Sequence, residues 1–349
     1  MTSEHSRNAA WANGAVVPTG APGGSASTRR LSLERCALTF AIACCAGVGP
    51  AAATPLDEPI QPIPLTLKQD PARVEIGRLL FRDTRLSGNG RVSCASCHDL
   101  GQGGGDGRAR SPGLHGTLTG VNAPTVLNAA LNFKQFWNGR ADSLEAQVDL
   151  VVRNPVEMGS SWAEVVQTVA RDASYRSAFA ASYPDGVTKA NIQSAIAAFE
   201  RTLITPNSRF DKFLRGDVNA ISASEKAGYA TFKQYGCVAC HQGVNVGGNM
   251  FQKFGVIGNY LQAKERPSPA DLGRYLVTHD ERDRYVFKVP SLRNVALTAP
   301  YFHDASARTL EQAVDVMFRY QLGREASMAD KAAIIAFLGT LTGELEGRP

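Results

Sequence analysis

A mainly α-helical chain of two domains is what the sequence predicts, and three observations carry that expectation. The 349 residues exceed the roughly 100–200 of one domain. Apolar residues recur at three-to-four spacing along several segments, and few runs alternate in the manner of strands. Two C-x-x-C-H pentapeptides stand far apart, Cys94-Ala95-Ser96-Cys97-His98 and Cys237-Val238-Ala239-Cys240-His241.

The first segment is unlike the rest. Residues 1–28 are rich in Ala, Gly and Ser, and Arg29, Arg30 and Arg35 then precede an apolar run from Cys36 to Val48 that ends in Ala51-Ala52-Ala53. A basic flank, a short apolar stretch and small residues describe a secretory leader cleaved after Ala53 and a periplasmic mature protein. Pro50 and Pro55 would stop a buried helix there. The Arg29-Arg30 pair leaves a twin-arginine route open, and Cys44-Cys45 a lipoprotein. No later segment reaches the roughly 18 apolar residues of a membrane span.

Loss of residues 1–53 removes Arg7, Arg29, Arg30 and Arg35 against Glu4 and Glu34, lowering the net charge from +5 to +3. That weak bias, without a lysine or arginine block, points neither to nucleic acid nor to an anionic membrane. Of seven cysteines, three lie in the leader and four in the pentapeptides, so none is left for disulfides. Two thiols at this spacing form thioethers with haem vinyl groups, and the adjacent imidazole becomes the proximal iron ligand. Thioredoxin-like redox pairs or a zinc site would use the same residue types, but two such units behind an export leader favour two covalent haems c. Each half is therefore expected to be a cytochrome c-like helical domain holding one haem, over 54–205 and 206–349.

Helical elements follow in order. Ile192, Ile196, Phe199 and Leu203 mark a helix from Asn191 to Leu203, with Thr188 as its cap. Ser222 and Glu225 form a capping-box pattern before a helix that stops near Gly236. Thr309 and Gln312 do the same for a helix with Leu310, Val314 and Met317 on one stripe, and a last helix runs near Ala329 to Leu341. The boundary falls near Thr205-Pro206-Asn207-Ser208, and apart from the haem motifs and their helical context no internal repeat is evident.

From Pro64 to Gly343 the chain resembles the bacterial dihaem cytochrome c peroxidases. The likeness is carried by Asn122-Ala123-Pro124-Thr125, residues 136–141 (FWNGRA), Asn154-Pro155-Val156-Glu157-Met158, residues 289–295 (VPSLRNV), Ala299-Pro300-Tyr301-Phe302-His303 and Tyr320-Gln321-Leu322-Gly323. These stretches are less specific for the reaction, because a related branch of the superfamily oxidises a protein partner during quinone-cofactor maturation.

The resemblance implies that the N-terminal haem reduces hydrogen peroxide and that the C-terminal haem takes electrons from a small cytochrome c or cupredoxin. His98 and His241 become the two proximal ligands, and His115, in the Gly-rich stretch from Gly101 to Gly120, a removable sixth ligand of the first iron. Met317 becomes the sixth ligand of the second, where the maturation branch has tyrosine, with Met250 the next candidate. Glu157 takes the acid/base role, Gln147 hydrogen-bonds the peroxide, and Trp137 stands between the haems. A calcium ion held by Asn122, Thr298 and Pro300, and a homodimer, are also implied. Two departures touch loop geometry: Asn138 stands where Asp is frequent, and Ala305 where Gly is usual. A dihaem oxidase of a protein partner and a non-enzymatic electron carrier are the competing readings.

Overall fold

A computed structural model describes residues 58–345, so the leader expected over residues 1–53 lies outside the described residues. Helices α1 (Pro71–Arg82), α2 (Leu144–Arg153), α3 (Trp162–Arg171), α4 (Ala173–Ser182) and α5 (Lys189–Thr202) make the first half. The second holds α6 (Arg209–Leu214), α7 (Ala223–Gln234), a short α8 (Tyr275–Thr278), α9 (Leu310–Val316) and α10 (Met328–Gly339). Strands β1 (Phe251–Lys253) and β2 (Val286–Lys288) pair antiparallel, Phe251 opposite Lys288. No described helix is long and apolar enough to cross a membrane.

The helix starts obey local chemistry. Thr188 caps α5 through the Asn191 amide, and Ser222 and Glu225 close a reciprocal capping box on α7. At α9 the expected box is only half made: Thr309 accepts from the Gln312 amide, while the Gln312 side chain turns to the Arg308 amide instead. Beyond Val316 the chain widens into a π-helical stretch from Met317 to Leu322, a widening that side-chain periodicity did not announce.

Each half is held by one close helix crossing at a glycine. A Cβ on Gly77 of α1 would lie 1.9 Å from the Ala195 carbonyl oxygen of α5, and one on Gly228 of α7 would lie 2.0 Å from that of Ala333 on α10. Backbone atoms cannot yield as a flexible side chain does. Gly77→Ala is therefore expected to destabilise the protein by about 1–3 kcal/mol, more than the ~1 kcal/mol that alanine gains in a helix. Denaturant unfolding reads this directly, and an unchanged midpoint would mean that the two helices separate freely.

The absence of an internal repeat is corrected by the structure. Residues 123–131 (APTVLNAAL) and 289–297 (VPSLRNVAL) take one conformation, the residue number rising by 166 from Pro124 to Pro290. Asn128 and Asn294 both have φ near 60°, and each is followed by a 3-10 turn. The same offset relates Phe136 to Phe302, at φ 67° and 70°, and the bridge Gln135–Ala141 to Tyr301–Ala307. It also relates the caps Ser143 and Thr309, and hence α2 to α9. Ala305 adopts φ 58° where its counterpart Gly139 has 67°, so the departure from glycine leaves the turn in place, at the cost of a left-handed alanine. Pro124/Pro290, Asn128/Asn294, Ala130/Ala296 and Leu131/Leu297 are identical pairs at this offset, so the repeat is written in the residues as well as in the backbone.

The two apolar cores lie on either side of residues 205–208, one built from Ile76 to Ile196 and the other from Phe210 to Leu341. Residues 58–63, expected with the N-terminal domain, pack instead on the C-terminal half. Ile60 is buried in that core, and the Gln61 carbonyl accepts from Arg293, whose guanidinium is 2.8 Å from Asp211 with both side chains fully buried. The junction is buried too. Thr205 Oγ1 accepts from Asn128 and Asn294, the matched asparagines of the repeat, at 2.9 and 3.0 Å, which ties both halves into one compact unit.

Candidate functional site

Each pentapeptide forms a short 3-10 turn that projects its histidine into an apolar cavity. His98 Nδ1 lies 3.1 Å from the Gly104 carbonyl, and His241 Nδ1 3.3 Å from that of Val246. Facing a carbonyl, Nδ1 carries the proton, so Nε2 keeps its lone pair for a metal. Burial pushes both imidazoles down, His241 to about 4, which keeps them neutral. The thiols are pushed up by burial, Cys94 to about 12 and Cys237 to about 11, and all four cysteines are unpaired. Among the described residues none of them gathers with other ligands into a metal cluster.

The first cavity opens about 240 Å³ to the centre of a water-sized sphere, and the second about 290 Å³. Gln147 and Glu157 border the first, together with Cys94, Cys97 and His98. Glu157 Oε2 is buried without a hydrogen-bond partner, and burial raises this carboxyl above the ordinary range, while the Arg140 charge pulls the other way. Asn154, just before it in the chain at the C-terminal cap of α2, also opposes the rise through a side-chain hydrogen bond. Met317 borders the second cavity with Cys237, Cys240 and His241. Met250 does not; it sits at the end of β1, where its carbonyl receives the Val289 amide. Cysteine pairs, a neutral proximal imidazole and apolar walls on both sides fit haem c, and a facing thioether fits its sixth position in the second cavity.

Trp137 and Asn122 line both cavities, so they stand in the wall between them. The indole Nε1 donates to the Asn122 carbonyl at 2.9 Å, and its ring meets His303, its counterpart in the repeat, edge-on at 6.4 Å. Asn122, Thr298 and Pro300 are brought together at the rim of the second cavity. The Asn122 side chain donates to the Pro300 carbonyl at 2.6 Å, so one oxygen expected on a cation here accepts an amide proton, and an ion would require the amide to turn.

His115 is not brought to the first cavity. It is exposed, in a left-handed conformation at φ 56°, on a loop held against the Glu157 segment: Leu114 donates to the Val156 carbonyl at 2.9 Å. A Cβ on Gly113 would lie 1.9 Å from that same oxygen, so the close approach needs glycine. The loop thus borders the first cavity through Ser111, Gly113 and Thr119 but carries His115 away from it, and the sequence could not tell which way a glycine-rich hinge is turned.

Sequence reasoning passed over Glu200, buried on α5 against the first cavity with Oε2 unpartnered and its pKa raised to about 8 by burial and by Glu145. It also passed over Lys288, buried on the second cavity's wall and lowered to about 8 by burial. A charged residue inside an apolar run was the available sign for each. Asp271, His303 and Asp304 cluster closely enough to hold a cation, but Lys264 already serves them, its Nζ 2.8 and 2.9 Å from the two aspartates.

Residues 71–219 match the family described as di-haem cytochrome c peroxidase. The cytochrome c551 peroxidase of Nitrosomonas europaea is 48% identical over 289 residues, 82% of this chain and 85% of that protein. The cytochrome c peroxidase Ccp of Escherichia coli is 46% identical over 288 residues, and the match spans 62% of that longer relative. Among solved structures, a MauG-like protein associated with microbial copper homeostasis aligns at a TM-score of 0.72 and 30% identity, over 85% of this chain and 95% of that one.

Proposed function

Because the chain belongs to the dihaem cytochrome c peroxidase family of oxidoreductases, we propose that it reduces hydrogen peroxide to water in the N-terminal cavity with electrons that enter at the C-terminal one. The observation that supports this most is Glu157, whose Oε2 is buried without a hydrogen-bond partner and which borders the same cavity as His98 and Gln147. Bound haem c supplies the iron that passes electrons to peroxide.

The chain's own residues handle position and protons. Gln147 donates a hydrogen bond to the bound peroxide. Glu157 accepts the proton of one peroxide oxygen and returns it to the other as that oxygen departs, and two further protons from solvent complete two waters per two electrons. Trp137, in the wall between the cavities, lies on the path for those electrons. His115 acts as the removable sixth ligand: its loop swings inward to close the site and outward to open it. The two halves on either side of residues 205–208 divide this labour, with residues 58–63 going with the C-terminal one. We place the mature protein in the periplasm as a homodimer, supplied by a small cytochrome c or a cupredoxin.

Steady-state oxidation of such a reduced donor tests the reading, and two one-electron donors should be consumed per peroxide. No donor oxidation would sink it. Oxidation of a protein partner, the reaction of the maturation branch, is weighed down by Met317, which borders the second cavity where that branch has tyrosine. A pure electron carrier has no use for a carboxylate with one buried, unpartnered oxygen on the wall of the first cavity.

Calcium at Asn122, Thr298 and Pro300 belongs to the same proposal, since these residues adjoin the wall that separates the cavities. Chelation is expected to slow electron transfer between the haems or weaken dimerisation without releasing covalent haem. Stopped-flow and sedimentation, with and without chelator, would show it; no response in a protein shown by metal analysis to be calcium-free would remove the ion.

A further inference from the structure

The repeat carries into the cavity walls residue by residue. On α2 the first cavity is bordered by Leu144, Gln147, Val148, Val151 and Val152. On α9 and the turn after it the second is bordered by Leu310, Ala313, Val314, Met317 and Phe318, each 166 positions after its counterpart, as Met317 is to Val151. The caps match as well, since Ser143 and Thr309 each accept the amide three residues on. Val151 and Met317 therefore stand at the same distance along the chain from equivalent caps, Val151 within α2 and Met317 where α9 gives way to the π-helical stretch. Both are half-buried at their cavity walls.

Chemically the pair could hardly differ more. Methionine carries a soft thioether on a flexible unbranched stem that reaches an iron, while valine ends at two methyl groups and offers no lone pair. At the neighbouring position the difference runs the other way, with Gln147 able to hydrogen-bond a ligand where Ala313 cannot. One helix thus presents a permanent ligand and an inert neighbour. The other presents no ligand and a hydrogen-bond donor.

From this we infer that the residue at position 151 decides whether the sixth coordination position in the N-terminal cavity is free: valine leaves it to exogenous ligands, and methionine there would fill it as Met317 fills the other. The inference rests on the reading that each cavity holds a haem on its own histidine. It makes the two halves one scaffold, set to different tasks by a single side chain on the distal helix, with His115 a reversible stopper added from a loop.

The test uses the full haem-loaded protein and reads spectra rather than turnover. In Val151→Met the N-terminal haem should carry a thioether in place of His115 or an exogenous ligand, the thioether–iron charge-transfer absorption should roughly double, and the lower of the two midpoint potentials should rise. In the reduced Met317→Val protein the C-terminal haem should bind carbon monoxide, giving one more equivalent bound than in the parent. A Val151→Met protein with both haems attached and an unchanged ligation spectrum would overturn the inference. Should that variant fail to retain both haems, Met317→Val decides alone: no additional carbon monoxide overturns it and one additional equivalent supports it. An inactive parent whose spectrum is nevertheless converted by Val151→Met would sink the peroxide reading and leave the assignment of residue 151 standing.

Discussion

Glu157→Gln is expected to lower peroxide turnover by about 10²–10⁴-fold, the usual worth of a positioned carboxylate that shuttles a proton. Glutamine is close in shape and cannot accept and return the proton, so lost chemistry is separated from lost packing. Both haems should stay attached, and reduction of the C-terminal haem by the donor should continue. The carboxyl is raised by its burial, and only its ionised form can take the first proton. Turnover by the parent should therefore fall on acidification at a pH above the ordinary glutamate range near 4.3, and Glu157→Gln should lack that limb. Near-normal turnover in a correctly ligated variant would move the acid/base role to another group, for which the buried Glu200 of the same cavity is placed.

The second large effect is expected at Met317. Replacement by Ala removes the thioether from the wall of the second cavity and should lower the potential of the C-terminal haem, because His/Met ligation holds iron at high potential. Axial ligands move haem potentials over roughly 0.8 V, so the drop should be read easily in a redox titration, with the N-terminal couple little changed. A small high-potential donor would then no longer reduce the protein efficiently, and turnover would fall for want of electrons rather than of protons. An unchanged high-potential couple would place the ligand elsewhere. Met250 does not border that cavity, so such a result would call for a ligand that the described fold does not bring there.

Much of the site was legible before any coordinates. The C-x-x-C-H units are local, since five consecutive residues set the thioether spacing and the proximal imidazole, and a 3-10 turn is all that they need. The helices announced by Thr188, Ser222 and Thr309 were legible for the same reason, because a cap binds an amide three residues away. The likeness to known peroxidases added Glu157, Gln147, Trp137 and Met317, and the fold sets all four on cavity walls.

What the chain could not reveal locally depends on residues far apart. Whether His115 points in or out is decided by contacts between Leu114 and Val156 across 42 residues, as a glycine-rich loop has no conformational preference of its own. That residues 58–63 belong with the C-terminal half is decided by the buried Arg293–Asp211 pair and the Gln61 carbonyl bound to it. The kinship of α2 and α9 shows in backbone torsions at Asn128 and Asn294 and in matched caps, and also in identities such as Leu144/Leu310 and Val148/Val314, which only a comparison across distant segments exposes. The C-x-x-C-H turns and the helix starts were thus determined by the sequence itself, through interactions that close within one turn. Only the tertiary structure decided that His115 stands away from the first cavity, because that placement is a relation between a loop, a helix face and a wall that no single segment contains.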